Sequence, residues 1–423
     1  MAAFSNRFQP LLSAIANHQG DAVANLLKLD NSAHLQAVRS ISGTASGTLP
    51  ESVLRNIHQR TLSQVGQQNN LWAAVLVSHC SCLAALLSGK FDTAFSHFTA
   101  YIQPLNEAFR ADTEAWMVPV IIQTAENLRL LAYKADEQLL SQQQPQQKME
   151  EAGSHLQKFY GEATRAPNNK DKRKALLALM NTMLKLYFKL NTLRLCKPLI
   201  RSLEAPGFPP FESFPKAQRV TQKFYSGRLA IFEDQLAKAE ADLEYAFSHC
   251  PASAQQNKRL CLYFLVPVRL LAGRLASEAH LQSYGLQIYI PFVQAMKLGS
   301  TRQLALALKH HQQELIRQGV YLLLIKLKPI VLRRLFKRCW VIHKQACEAQ
   351  NSPKAHQYPL SELQKAVRWQ DMDLDEDAVE CAVANLIHKK YVKGYISHKN
   401  QCVVLSKADP FPPITAAQIA QQL

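Results

Sequence analysis

The 423-residue sequence contains none of the short patterns that usually announce an enzyme. There is no Walker P-loop, no G-x-G-x-x-G, no G-x-S-x-G and no H-E-x-x-H. A phosphate cradle, a nucleophile elbow and a zinc helix are therefore not expected, and neither is a cofactor. Cysteine is sparse: nine residues, an odd count, scattered through mostly apolar helical stretches. That excludes a disulfide framework and fits reduced thiols of the cytosol or nucleus. No apolar run reaches the roughly 18 residues that a membrane span needs. The start, Met1 to Arg7, has no charged segment leading into an apolar one, so no signal peptide is expected. Acidic residues are also short, 32 against 49 Lys and Arg, for a net charge of +17.

That excess is unevenly placed. Residues 1–150 carry 10 basic and 11 acidic residues, and the rest carry 39 and 21. Arg165 to Arg228 holds 14 basic against 3 acidic, and Lys309 to Lys344 holds 9 against 1. Between Arg317 and Lys344 there is no Asp or Glu at all. A charge field this lopsided points to a polyanionic partner, either nucleic acid or a very acidic protein. The plainer alternative is a basic surface with no specific anion.

What the chain does have is helical periodicity. At 48% hydrophobic residues it is ample for a large core. Leu71 to Leu87 is apolar nearly all round, as a buried helix is. After a turn at Gly89, Phe91, Ala94, Phe95, Phe98 and Ile102 fall on one stripe, and a third helix is expected over Trp116 to Leu131. Ser141 to Lys148 is a Gln-rich loop. Lys174 to Leu190 and Leu193 to Leu203 form a second pair, ended by the prolines of Pro206 to Pro210. Gly227, Ala239, Leu243, Ala246 and Pro251 match the small, large, small, Pro offsets of a tetratricopeptide-like unit of about 34 residues. Further helices are expected over Leu260 to Leu271, Leu304 to Leu327 with Gly319 inside, and from Pro329 onward. Asn351 to Lys354 reads as a loop, and Leu360 to Arg368 as a short helix.

The last sixth changes character. Val379, Val383, Leu386 and Ile387 form one stripe of a helix from Asp375 to Lys390, acidic at its start and basic at its end as the helix dipole favours. Tyr395 to Ser397 and Cys402 to Leu405 then read as two strands about a turn at Lys399 to Gln401. Helix, strand, turn, strand is the ending of a winged helix. The fold class is therefore all-α: a helical-repeat superhelix closed by a winged helix. Four segments follow: N-terminal helices at 1–65, the repeat stack at 66–340, the winged-helix end at 341–413 and a tail at 414–423.

Candidate metal sites are weak. His79, Cys80 and Cys82 share one apolar helix and read as core. Adjacent His310 and His311 point apart on a helix surface. Asp371, Asp373, Asp375 and Asp377 lack the Gly and terminal Glu of a calcium loop and read as a capped helix start. The basic groups are stronger. Lys389, Lys390, Lys393, His398 and Lys399 cluster at the helix end and wing, and Arg333, Arg334, Lys337 and Arg338 sit on the helix after Pro329. Such groups hold phosphates in helix-turn-helix proteins, whereas no Asn, Gln or Arg array suggests base readout. Alternatively the winged helix packs on another subunit.

Helical repeats followed by a winged helix resemble the PCI family. The strings at 195–205 (LCKPLIRSLEA), 217–233 (AQRVTQKFYSGRLAIFE), 256–272 (QNKRLCLYFLVPVRLLA), 319–329 (GVYLLLIKLKP) and 391–413 (YVKGYISHKNQCVVLSKADPFPP) are similar to the branch around PCI-domain-containing protein two. The similarity spans about residues 70 to 413, and the first 60 or so match poorly. The resemblance implies a non-enzymatic scaffold of a nuclear-pore-associated mRNA-export complex, located in the nucleus and also the cytoplasm. It implies pairing with a larger PCI protein of the Sac-three/GANP type and with a small acidic protein of the Dss-one/Sem-one type. It further implies a joint winged-helix surface for RNA or DNA, without sequence specificity and without a membrane. On this chain that surface falls on Lys389, Lys390, Lys393, His398 and Lys399, with Arg333 to Arg338 as an extension. The basic block Arg165 to Arg228 is then a track for the acidic partner. The rival within the same fold is a subunit associated with the signalosome or with a splicing or ubiquitin-linked assembly, without nucleic acid.

Overall fold

The computed structural model describes residues 2–41, 48–65, 70–165, 169–350, 352, 355–370 and 372–414. Asp371, most of the loop at 351–354 and all but the first residue of the expected tail fall outside them. The chain divides into two compact units, Met1–Tyr225 and Ser226–Leu423.

The first unit is helical. Asn70–Leu87 packs on Phe91–Ala100, which packs on Val118–Ser141, then Lys148–Thr164, then Leu176–Lys189. Each helix thus leans on near neighbours in sequence, as in a repeat stack. Two expectations need correction. The stripe from Phe91 does not run on to Ile102, because the chain turns at Tyr101 and Ile102 opens a separate helix, Ile102–Ala111. The helix expected over Trp116 to Leu131 is Val118–Ser141, beginning with Pro119 in its first turn. Asn70–Leu87 also exceeds the sequence reading. It has 18 residues and is long and apolar enough, by length and composition alone, to cross a membrane. Here it is a core helix, with Trp72, Val75, Leu76, Cys80, Cys82 and Leu83 all buried.

One core residue of that helix is polar. His79 is wholly buried, and among the described residues neither of its ring nitrogens has a hydrogen-bond partner. Burial, with His34 nearby, pushes its pKa down to about 3. The ring therefore sits in the core as a neutral, half-apolar side chain, edge-on to His34 at 6.5 Å and to Tyr101 at 6.4 Å.

The basic block of this unit is partly spent internally. Lys172 is buried and donates to the carbonyl oxygens of Phe109 at 2.6 Å and Arg110 at 3.2 Å. Arg173 donates to the carbonyl oxygen of Gly207, and Lys174 pairs with Asp171 at 2.7 Å.

The helix Lys216–Phe232 crosses the division between the units. Its Gly227 shows why the tetratricopeptide-like spacing works. A Cβ there would stand 2.7 Å from Leu243 Cγ and 3.2 Å from the Ala239 carbonyl oxygen, on helix Leu236–His249. The missing side chain lets the two helices close together. Ser226 then donates to buried Asp242 at 2.7 Å across the same contact. Gly227→Val is expected to destabilise this pair by about 1–3 kcal/mol through overpacking, measured as a lower urea midpoint at unchanged slope. The helix expected over Leu260 to Leu271 begins earlier, as Gln255–Leu271, and Pro267, which reads in the sequence as a kink or break, lies inside it.

The helix expected over Leu304 to Leu327 is instead three: Thr301–His310, Gln312–Gln318 and Tyr321–Ile325. Gly319 ends the second in the left-handed region, φ 76°, where the Val320 amide returns to the Leu315 carbonyl at 3.0 Å. Because the first of these ends at His310, the His310 and His311 rings do not diverge but meet edge to face at 4.6 Å. Pro329 does open the next helix, Lys328–Ala349.

The C-terminal end is a winged helix. Helices Leu360–Trp369 and Glu376–His388 pack on each other and on Lys328–Ala349. Asp375 caps Glu376–His388 by accepting from the Ala378 amide at 2.8 Å. A three-stranded antiparallel sheet frames these helices in sequence, in the order β1 (Gln357–Pro359), β3 (Cys402–Leu405), β2 (Gly394–Ser397). β1 was not foreseen; three residues are too few to show alternation. Phe336, Trp340, Tyr358, Leu363, Val383 and Val403 face one another in its core.

Candidate nucleic-acid interface

The candidate cations divide according to what each one touches. Lys393, His398 and Lys399 are exposed, as is Lys390, which follows the end of Glu376–His388 with a φ of 57°. The Lys390 amide closes on the Ile387 carbonyl at 2.9 Å, so the chain turns sharply from helix to wing and carries these groups round one corner. Lys393 lies 3.8 Å from Asp409, with both side chains about half exposed, so the pair is weak. His398 is engaged more closely. Its Nδ1 lies 3.0 Å from Glu380, and that hydrogen bond, with the carboxylate charge, raises its pKa. The imidazole charge is thus largely answered within the protein.

Arg334 and Arg338 are exposed on Lys328–Ala349, and Lys337 is half-buried. Arg338 donates to the Leu298 carbonyl at 2.7 Å. Arg333 departs from the sequence reading. It is only 8% exposed, and its guanidinium donates to the Tyr391 carbonyl at 2.8 Å and to that of Pro412. Its charge centre stands 5.7 Å from the Phe411 ring. It cannot offer itself to phosphate from there. Four residues share a basic run, but a helix turns successive positions by about 100°, and Arg333 falls on the inward side with Ile330 and Phe336. Its role is to tie the long helix to the backbone that carries Lys390 and Lys393.

Lys389 is half-buried at a cleft of about 540 Å³ between Thr301–His310, the first turn of Lys328–Ala349 and Glu376–His388. Leu304, Pro329, Leu332 and Leu386 line it, with Lys328 as a second cation. Lys328 was missed in the sequence; its only signal was its place just before the helix-starting proline. Tyr395, at 63% exposure, and Trp369, at 75%, were also missed as surface features. Alternation along β2 carried the signal for Tyr395. Trp369 simply ends an amphipathic helix.

Among the described residues no cluster of three or more His, Cys, Asp or Glu stands ready for a metal. Cys80 and Cys82 are buried, and burial drives both thiols well above their ordinary pKa. What the arrangement offers chemically is a set of exposed cations on the winged-helix end, which suits an anionic surface.

The PCI domain profile matches residues 308–407, from the helices before Pro329 through the wing. Enhanced ethylene response protein 5 of Arabidopsis thaliana is 35% identical over 393 residues, covering 92% of this chain and 93% of that protein. PCI domain-containing protein 2 of Xenopus laevis is 35% identical over 348 residues, covering 81% and 84%. Protein CSN12 homolog of Neurospora crassa is 29% identical over 378 residues, covering 81% and 84%. Identity of this level, sustained across both units, makes the chain a member of the family of PCI domain-containing protein 2.

Proposed function

We propose that this chain is a non-enzymatic scaffold subunit of a nuclear mRNA-export complex at the nuclear pore. In this reading it pairs with a larger PCI scaffold of the Sac-three/GANP type and a small acidic protein of the Dss-one/Sem-one type, and holds RNA or DNA on its winged-helix surface. The observation that carries the nucleic-acid part is the exposure of Arg334, Arg338, Lys390, Lys393 and Lys399 around one winged helix. Phosphates contacted there would release counterions, so affinity should fall linearly in log salt. The export assignment itself rests on the sequence resemblance.

Changing Lys390, Lys393 and Lys399 together to Glu is expected to weaken RNA binding about a hundredfold at low salt. The slope of log affinity against log salt should flatten by about two, at ~0.7 per phosphate contact for single strands. Thermal unfolding should hardly move, because these side chains are exposed. Collapse of the fold in this variant would assign them to packing instead.

The partner reading is tested by tagged recovery from nuclear extract, with and without nuclease. Recovery of a larger PCI scaffold and a small acidic protein in both halves supports it. Recovery of signalosome subunits would keep the fold and replace the function; the similarity to the protein named CSN12 homolog is what keeps that second reading in view. The small acidic partner is assigned to the Arg165 to Arg228 block. Acidic-peptide binding that ignores charge reversal at its exposed members, such as Arg194 and Arg201, would sink that assignment.

A further inference from the structure

We propose that Tyr395 is a base-stacking platform, and that the winged-helix surface therefore takes single-stranded nucleic acid in preference to duplex. This rests on the nucleic-acid reading above and goes beyond it by naming the strand state and an uncharged contact.

The register of the sheet sets the geometry. Tyr395 pairs with Val404, which pairs in turn with Gln357, so these three form one row across the sheet. The next row, Ile396, Val403 and Tyr358, is the inward one, with Val403 and Tyr358 buried. Alternate residues on a strand face opposite ways, so the Tyr395 row faces outward. β2 is an edge strand, and Tyr395 stands at the open end of its row. Tyr395 is 63% exposed. A phenol ring here buries little apolar surface of its own and contributes nothing to the core.

Charge surrounds it. The Ser406 amide donates to the Lys393 carbonyl at 2.9 Å, so the ladder continues past β2 and places Lys393 two positions before Tyr395 on the same face. Two residues of strand span roughly 7 Å, about the reach from a phosphate to its neighbouring base in an open strand. Lys399 follows in the turn beyond the strand. The nearby carboxylates are Asp409, against Lys393, and Glu380, against His398. Neither is placed against the Tyr395 ring by any hydrogen bond or ion pair among the described residues. A cation, a flat ring and a second cation in sequence match an open strand with its phosphates and an unstacked base. In a duplex the base faces are already occupied by their neighbours, so the ring would have nothing to stack on.

The test uses the full chain, a labelled 20-nucleotide poly-uridine RNA and a labelled RNA duplex of the same length, with fluorescence anisotropy across a salt series. Wild type is expected to prefer the single strand. Tyr395→Ala should lose roughly tenfold or more on the single strand, little on the duplex, and keep the salt slope, because no charge is removed. Tyr395→Trp should restore or exceed wild-type affinity. Tyr395→Thr keeps strand propensity and should behave as Ala does, which separates stacking from loss of the strand. Wild-type affinity in both Tyr395→Ala and Tyr395→Thr overturns the platform and leaves the cationic surface standing. No binding by wild type to either probe overturns both readings. Unchanged RNA binding with loss of a protein partner from extract overturns the platform in favour of a protein contact.

Discussion

Arg333→Met is expected to destabilise the C-terminal unit by about 3 kcal/mol or more, although it removes only one of the 49 Lys and Arg residues. Methionine fills much of the same volume. It leaves the carbonyl oxygens of Tyr391 and Pro412 without their donor, in a place where the arginine itself is only 8% exposed. Removing the donor to a buried acceptor costs about 1–3 kcal/mol. The melting temperature of a unit this size should fall by about 10 °C. Arg333→Lys should recover only part of this, since one ammonium cannot reproduce the planar fork that reaches two carbonyls. The measurement is calorimetric unfolding of the full chain. A melting temperature within a degree or two of wild type for the methionine variant would show that the guanidinium holds nothing. Arg334→Met, one residue on and exposed, is the control and should be nearly silent in stability.

Acid should unfold the N-terminal unit through His79. Its folded pKa is about 3, depressed by burial and by His34, against the ordinary 6.5 expected when the chain unfolds. Below pH 6.5 the unfolded state binds a proton that the folded state refuses, so stability falls as pH falls. Above pH 6.5 the group has no effect. At pH 5 the loss is about 2 kcal/mol, and it approaches ~5 kcal/mol near pH 3, where it levels off. His34, also depressed chiefly by burial, adds in the same direction. His79→Leu should flatten the profile between pH 6.5 and 4. Carboxylate titrations act on both proteins alike, so the difference between the two curves isolates the imidazole. Parallel curves would mean that the ring is solvated or paired when folded.

Much of the local structure was legible in the sequence. Val379, Val383 and Leu386 are buried as their spacing requires, while Ile387 of the same stripe is only half-buried, and Asp375 caps the helix they sit on. Gly227 meets Ala239 and Leu243 because small and large residues at those offsets have only one close-packed solution. The strand pair about Lys399 to Gln401 also follows from local alternation. The three short helices between Thr301 and Ile325 were not legible, since apolar period continued through Leu315 and Leu324 while the chain broke at His311 with negative φ and again at Gly319 with positive φ. β1 was invisible for a different reason. Its strand character comes from pairing with β3, more than 40 residues later, and not from its own three residues.

The basic residues mark the boundary between the two kinds of knowledge. The sequence by itself determined that the charge excess lies after residue 150, that the chain is helical with a winged end, and which helix carries Arg333 to Arg338. These depend on composition and on contacts a few residues apart. Only the tertiary structure decided which of those cations face water. Arg333 finds its acceptors 58 and 79 residues away, His398 is held by Glu380 across 18 residues, and Lys389 borders a cleft with Lys328. A guanidinium suits a phosphate and a pair of backbone carbonyls equally well. The choice between them is made by burial, which appears only when distant segments of the chain have come together.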